Sequence, residues 1–401
     1  MTKVTEIAPN VHYVGADDHL KHRFEGLWPL PQGVSYNAYL VVDQKVALVD
    51  TIDASYTERL LANIREEIGE RAVDYLIINH MEPDHSASIQ AVRHAYPDIQ
   101  IVGNVKTLQM VEGFYGLSNN TLTVAEGDTL SLGARELQFF LIPMVHWPET
   151  MVTYCASDKL VFSGDAFGTF GALNGGVTDR ECDFAAYRDE MIRYYSNIVG
   201  KYGAPVQKAL GKLGGLAVDT VCPTHGPVWT KKDFPKVVDL YDRMSRYEPT
   251  DGSGVVIAYG SMYGNTEQTA TRIARELADR GVRNVVMHNL TSAHLSFVLR
   301  DIFKYRAVVI GSPTYNMHLF PPVQALLDDI ELRCVSGRLF GYFGGFTWAG
   351  VAVKKLGEFA ERVGWEVVAP PVEVKQGYSA AKTAGCAEIA QGIDERLKTR
   401  D

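Results

Sequence analysis

Hydrophobic and polar positions follow two different rhythms along this chain, with the change near residue 250. Before it, short apolar runs mix with amphipathic stretches. Asn37–Val42 and Val46–Asp50 flank a polar turn, which predicts an antiparallel hairpin. The apolar spacing from Tyr56 to Ile68 predicts a helix, and Val73–Ile78 an apolar strand that runs into Asn79-His80. Further strands are expected at Ile99–Gly103, Glu136–Ile142, Thr150–Ala156 and Leu160–Ser163, with helices at Ser86–His94, Asp183–Ile198 and Ala204–Leu213. Helices mixed with antiparallel hairpins predict a layered α/β sandwich.

Pro249-Thr250-Asp251-Gly252-Ser253-Gly254 collects turn formers and reads as a linker, so domains are expected over 1–249 and 254–401. Beyond it the pattern is regular. Strands at Val255–Tyr259, Asn284–His288, Ala307–Gly311, Arg338–Gly345 and Trp365–Val368 alternate with helices starting near Thr266, Ser292, Pro322, Val351 and Ala381. That alternation predicts a doubly wound, mostly parallel sheet. No internal repeat or low-complexity tract is visible.

Charge narrows the function classes. Of 401 residues, 39 are Lys or Arg and 48 are Asp or Glu, a net charge of −9 that argues against nucleic acid or an anionic membrane as partner. Met1-Thr2-Lys3-Val4-Thr5-Glu6 has no apolar signal core, and Leu339–Val353 is too short and glycine-rich for a bilayer span. The five cysteines form no CxxC pair, which excludes a disulfide framework and a centre built on such pairs. A reducing, cytoplasmic setting is expected.

Candidate chemistry begins at His80-Met81-Glu82-Pro83-Asp84-His85, directly after an apolar strand. Four ligand-type side chains in six residues would repel or stay unsatisfied in a packed interior unless a cation joined them. His146, Asp165 and His225 stand after three further apolar runs. Together these are four imidazoles and three carboxylates, enough for two ions sharing one bridging carboxylate. The pattern resembles the metallo-β-lactamase fold in its flavodiiron form. The hydrolases of that superfamily usually carry His where this chain has Glu82, and a carboxylate there favours iron over zinc. The resemblance implies one iron on His80, Glu82 and His146, a second on Asp84, His85 and His225, and Asp165 bridging them.

A second constellation lies in the other half. Val255–Tyr259 leads into Ser261-Met262-Tyr263-Gly264-Asn265-Thr266 and then a helix, an arrangement suited to phosphate. Two more loops follow strand ends, Ser312-Pro313-Thr314-Tyr315-Asn316 and Gly345-Phe346-Thr347-Trp348-Ala349-Gly350. Each puts aromatic rings beside small polar residues, as a flat ring system needs. Residues 254–400 resemble flavodoxin, which implies FMN with the first loop on its phosphate and the other two around the isoalloxazine. Ser261, Asn265 and Thr266 match that family's loop, while Tyr263 replaces its usual Thr.

A hydrolytic metal site has no use for a flavin, whereas a di-iron site that reduces a small molecule does. The whole chain resembles the two-domain flavodiiron proteins, which implies reduction of dioxygen to water or nitric oxide to nitrous oxide. It also implies a head-to-tail homodimer or dimer of dimers. With no CxxC rubredoxin module in the chain, an external donor is expected, rubredoxin or a reduced deazaflavin such as F420. Tyr195 resembles a family tyrosine near the substrate pocket, and Glu25 stands where many members carry a histidine. The rival readings are a zinc-dependent hydrolase and a non-enzymatic flavodoxin-type electron carrier. Metal identity and turnover with O2 or NO separate them.

Overall fold

The computed structural model describes residues 4–399, which divide into two compact units. One holds the chain up to Tyr195 together with Ala204–Asp242; the other holds Ser196–Gly203 and the chain from Arg243 on. The short piece 196–203 thus groups with the second unit, which no composition shift announces.

The first unit is built on two main sheets. One runs, in spatial order, Thr5–Ala8, Val11–Tyr13, Tyr39–Val42, Val46–Val49, Tyr75–Ile77, Gln100–Gly103 and Thr121–Thr123. The other runs Thr129–Ser131, Glu136–Leu141, Met151–Cys155, Leu160–Gly164, Thr220–Pro223 and Trp229–Thr230. The expected hairpin is present, with Tyr39 opposite Val49 and Val42 opposite Val46. Met151–Cys155 and Leu160–Gly164 are buried along their whole length, which is why they read as unbroken apolar runs rather than alternating ones.

Two expected helices are interrupted. Ser86–His94 becomes a turn at Pro83–Ser86 and a helix at Ile89–Ala95, and the Ser88 hydroxyl between them is engaged by Ile52 O and the Thr57 hydroxyl. The helix expected over Asp183–Ile198 ends at Tyr194 and passes into a wider π turn, Tyr195–Val199. A helix the apolar pattern did not suggest, Val105–Tyr115, is capped by Asn104, whose side chain accepts from the Lys106 and Thr107 N–H groups.

In the second unit Val285–Asn289, Val255–Tyr259, Ala307–Tyr315, Leu339–Phe346 and Glu366–Val367 lie side by side, all parallel. Numbered along the chain this order is 2-1-3-4-5, with a switch point beside the first strand. The last expected strand is shorter than its apolar run. It pairs only as Glu366–Val367, and Val372–Lys375 takes over alongside Phe343–Phe346. Val255, Ile257, Val309 and Phe343 form the core with Ile273 and Leu277 of the helix Asn265–Asp279. Each such side chain stabilises the fold by about 1.5–3 kcal/mol. Gly311 is required by packing, since a Cβ there would sit 2.1 Å from the Phe343 ring. Among the described residues no helix is long and apolar enough to cross a membrane.

Candidate metal centre and cofactor site

The backbone explains how six consecutive residues deliver four ligands to two places. His80 and Glu82 point to the same side, their Nε2 and Oε2 3.3 Å apart, while Met81 between them is buried in the core. Pro83 then starts a helical turn, and the change of direction carries Asp84 and His85 to a second position. Thr51 anchors this turn from outside, its hydroxyl and N–H both donating to His85 O. Asp50 does the same one step earlier by accepting from the Asn79 N–H and side-chain amide.

Two groups of ligand atoms result: His80, Glu82, His146 and Asp165, and Asp84, His85 and His225. In the first, His146 Nε2 is 3.0 Å from both Glu82 Oε2 and Asp165 Oδ2, while His80 Nε2 is 3.3 and 3.2 Å from the same two oxygens. In the second, His225 Nε2 is 3.2 Å from Asp84 Oδ2 and 2.9 Å from His85 Nε2. Asp165 joins them, since its other oxygen, Oδ1, is 3.3 Å from His85 Nε2 and 3.9 Å from His225 Nε2. Edges of about 3 Å are what ligands at about 2.1 Å around one cation require of each other. All seven sequence-derived candidates therefore meet in one place.

The donor set fits cations. His225 Nδ1 donates to Ser35 O at 2.7 Å, which leaves Nε2 as a lone pair facing His85 Nε2. Both oxygens of Asp84 are buried with no hydrogen-bond partner, a cost that a bound ion removes. Burial opposes charge here, yet the carboxylates win over it at the histidines. His146 is pushed up to about 9 by Asp165 and Glu82, and His80 and His85 are raised as well. Burial likewise raises Asp165 and Glu82, but the surrounding histidines hold both well below the usual carboxylate range. A cluster that attracts protons so strongly attracts a metal ion by the same field.

Several groups around the ligands were not singled out from sequence. Thr224 donates its hydroxyl to Asp165 Oδ1. Glu149 Oε1 lies 3.6 Å from His80 Nδ1 and accepts from the Met81 N–H. Tyr194 sets its ring 5.7 Å from that of His225, with Phe24 at 5.3 Å and Tyr36 at 6.0 Å on other sides. Tyr195 is placed differently: its ring edge packs on Tyr241 at 5.0 Å, and it is Tyr194 whose hydroxyl feels Asp165, Glu82 and Asp84. The helical phase decides this, because adjacent residues point about 100° apart. Glu25 sits at the tip of the hairpin Arg23–Phe24/Trp28–Pro29 in a left-handed conformation, and its carboxyl meets Glu82. Burial and Glu82 together raise it to about 7. Trp147 stands edge-on to His80 at 5.5 Å, whereas Trp229 is a core residue donating to Phe167 O.

In the second unit a cavity of about 460 Å3 opens at the carboxyl ends of the strands. Met262, Tyr263, Asn265, Thr266, Pro313, Thr314, Asn316, Gly345, Phe346, Thr347, Trp348 and Ala349 line it, with Met317 and Gln376, which sequence reading missed. Gly264, in the left-handed region, sends its chain into the helix Asn265–Asp279, and its N–H donates to Ser261 Oγ. Thr314 Oγ1 accepts from the Val351 and Ala352 N–H groups, tying two loops together. Ser312 is spent internally on Pro313 O and the Phe320 N–H, Tyr315 packs on Phe320, and Gly350 lies against Phe346. Tyr263 and Trp348 are almost fully exposed at the rim, two rings available to a flat ligand.

Comparison with known proteins agrees with both halves. Residues 34–226 match the family model described as ODP family beta lactamase, and residues 257–389 match flavodoxin. The chain is 33% identical to the rubredoxin-oxygen oxidoreductase of Megalodesulfovibrio gigas over 99% of both proteins. It is 32% identical to the nitric oxide reductase of Moorella thermoacetica over 99% of this chain and 100% of that one. The flavodiiron protein of Giardia intestinalis superposes with a TM-score of 0.93 at 26% identity, covering 99% and 97% of the two chains. With its seven clustered ligands, its flavodoxin sheet and these end-to-end matches, the chain belongs to the flavodiiron proteins, oxidoreductases that combine FMN with a di-iron site.

Proposed function

We propose that this protein reduces dioxygen to water, nitric oxide to nitrous oxide, or both, drawing electrons from an external donor through FMN to the di-iron centre. The observation that carries this is the split carboxylate of Asp165, one oxygen in each ligand group, in the same chain as a flavodoxin cavity. His80, Glu82 and His146 would hold one iron and Asp84, His85 and His225 the other, with Asp165 offering an oxygen to each group. When bound, the irons supply reducing electrons and Lewis acidity toward the oxygen atoms of the substrate.

The chain's own residues prepare that chemistry. Ser35 O accepts from His225 Nδ1 and orients that ring, so it need not reorganise when a cation is held, and the Glu149 carboxylate faces His80 Nδ1 at 3.6 Å. Phe24, Phe170 and Tyr194 pack edge to face beside His225 and keep bulk water from that side. Tyr194 offers a hydroxyl with no partner among the described residues, able to donate to a polar atom in the pocket. Both reductions consume protons, and Glu25 at the mouth is the carboxyl positioned to pass them inward. In the cofactor cavity Ser261, Asn265 and Thr266 receive the phosphate, and Tyr263, Tyr315 and Trp348 grip the ring system.

Rubredoxin is the donor that the name of the Megalodesulfovibrio gigas relative suggests, with a reduced deazaflavin such as F420 as the alternative. The working unit is a head-to-tail homodimer, alone or paired, in the cytoplasm. The test is anaerobic stopped-flow of the reduced protein against O2 and against NO, with iron and FMN measured on the same sample. Flavin reoxidation faster than that of free flavin, with about two irons per chain as seven ligands imply, supports the reading. Zinc in place of iron, or no accelerated oxidation by either gas, overturns it.

A further inference from the structure

Cationic side chains collect in the second unit at the amino-terminal edge of the parallel sheet, the edge opposite the flavin loops. A cleft of about 440 Å3 lies there, with Arg243, Arg246, Arg306, Ser253, Ser336 and Glu248 in its wall. Ser253, Arg306 and Ser336 come just before the strands that begin at Val255, Ala307 and Leu339. The cofactor cavity is reached from the other ends of the same strands.

Glu248 is the single acid of the wall, and Arg246 Nε holds it at 3.1 Å. Arg306 donates to Arg396 O and Arg243 to Pro249 O, so both guanidiniums are positioned by backbone carbonyls. Among the described residues Arg243 pairs with no carboxylate. Arg338 stands directly behind the wall. Its Nη1 donates to Tyr247 O and Ser336 O, two residues of the cleft, and its Nε to Ile302 O at 2.9 Å. Arg338 is buried, its Nη2 has no partner, and no carboxylate pairs with it among the described residues. Buried cations are ordinarily paired, and burial here pulls the guanidinium down to about 10. In a chain of net charge −9, the wall and the residue behind it hold four arginines against one glutamate.

We propose that this cleft binds a phosphate-bearing small molecule, with Arg243 and Arg306 as its charged contacts and the Ser253 and Ser336 hydroxyls beside them. Planar guanidinium forks match phosphate oxygens and bind them with charge-assisted hydrogen bonds. The volume exceeds what a lone phosphate fills and falls within the roughly 300–1,000 Å3 of small-molecule sites. Such a site lies a full strand length from the flavin loops, so occupancy there leaves FMN in place.

The test is isothermal titration of the FMN-saturated full chain at low ionic strength, with ADP and with inorganic phosphate as the two probes. Saturable binding of at least one is expected, with a Kd below about 1 mM. Arg243→Gln and Arg306→Gln should each weaken it by about tenfold, with the flavin spectrum unchanged. Arg272→Gln, on the exposed face of a helix and paired with Glu276, should bind as the wild type does. Tighter ADP binding assigns a nucleotide, and equal affinity assigns the phosphate group alone; either supports the site. No saturable binding of either probe, or undiminished affinity in both arginine variants, overturns it and leaves these arginines as caps on backbone carbonyls.

Discussion

The indole N–H of Trp28 donates to the Glu25 carboxylate at 3.0 Å, and the two residues face each other across the tip of one hairpin. Glu25 has a left-handed backbone, with a φ of 50°, and its carboxyl meets the ligand Glu82. A non-glycine residue held in this region at some energetic cost is most informative beside a functional group. Phe24 on the same hairpin reaches the His225 ring, and Arg193 donates to Pro29 O, so the hairpin is pinned on both strands.

Removal of the carboxyl by Glu25→Ala should lower turnover about a hundredfold, the low end of what a proton-transferring group contributes, with iron still at two per chain. Trp28→Phe should act in the same direction but less, since it only frees the carboxyl to rotate. Steady-state rates with metal analysis on the same preparations decide this. Wild-type rates in Glu25→Ala would show the hairpin to be a passive cover.

Loss of one ligand in the second group should strand one ion. His85→Ala or His225→Ala should lower iron toward one per chain and abolish turnover, while FMN stays bound. Full activity in either variant would remove that histidine from the ligand set.

The two neighbouring tyrosines should separate cleanly. Tyr194→Phe deletes a buried hydroxyl near His225 and should slow substrate reduction without changing iron content. Tyr195→Phe acts within the packing against Tyr241 and should leave turnover within about twofold. The reverse ranking would assign the hydrogen-bond donor to Tyr195.

Trp348 is nearly fully exposed at the rim of the flavin cavity. Stacking on an aromatic ligand contributes about 1 kcal/mol, so Trp348→Ala should weaken FMN retention about fivefold by fluorescence titration. Unchanged affinity would mean that the ring does not stack on the flavin.

A pH test away from both sites concerns Asp301, buried between His288 at 2.8 Å and Arg300. Burial raises its pKa, but the hydrogen bonds from His288 and Arg300 outweigh that and hold it below 3.8. The fold therefore favours the ionised form. Its stabilisation is complete above the unfolded value and is lost as pH falls through the lower folded one. Asp301→Asn should cost about 2 kcal/mol in urea melts at neutral pH. That gap should hold down to pH ~5 and narrow only below pH ~4. Narrowing between neutral pH and 5 would contradict the assignment.

Much of the architecture was legible because it depends on local pattern. Long apolar strands such as Val255–Tyr259 and Leu160–Gly164 announce themselves by composition, and His80 to His85 are close enough along the chain to read as one cluster. The break at Ser88 and the π turn after Tyr194 were not legible, since both stretches are tied to residues far along the chain, the Ser88 hydroxyl to Ile52 O and Ser196 O to Arg333 Nε. Met317 and Gln376 joined the flavin cavity through loop conformations that carry no composition signal.

By itself, then, the sequence determined which residue types the centre contains, because ligand chemistry resides in side-chain identity. It also determined the order of the two units, because apolar rhythm reports strand and helix directly. Only the tertiary structure decided that Asp165 turns one oxygen to each ligand group and that Tyr194 rather than Tyr195 stands at His225. It alone placed Arg338 behind the far cleft, with no carboxylate partner among the described residues. Those facts depend on distances between residues far apart along the chain. Such distances are set by how two sheets and their loops pack, and no local spacing encodes them.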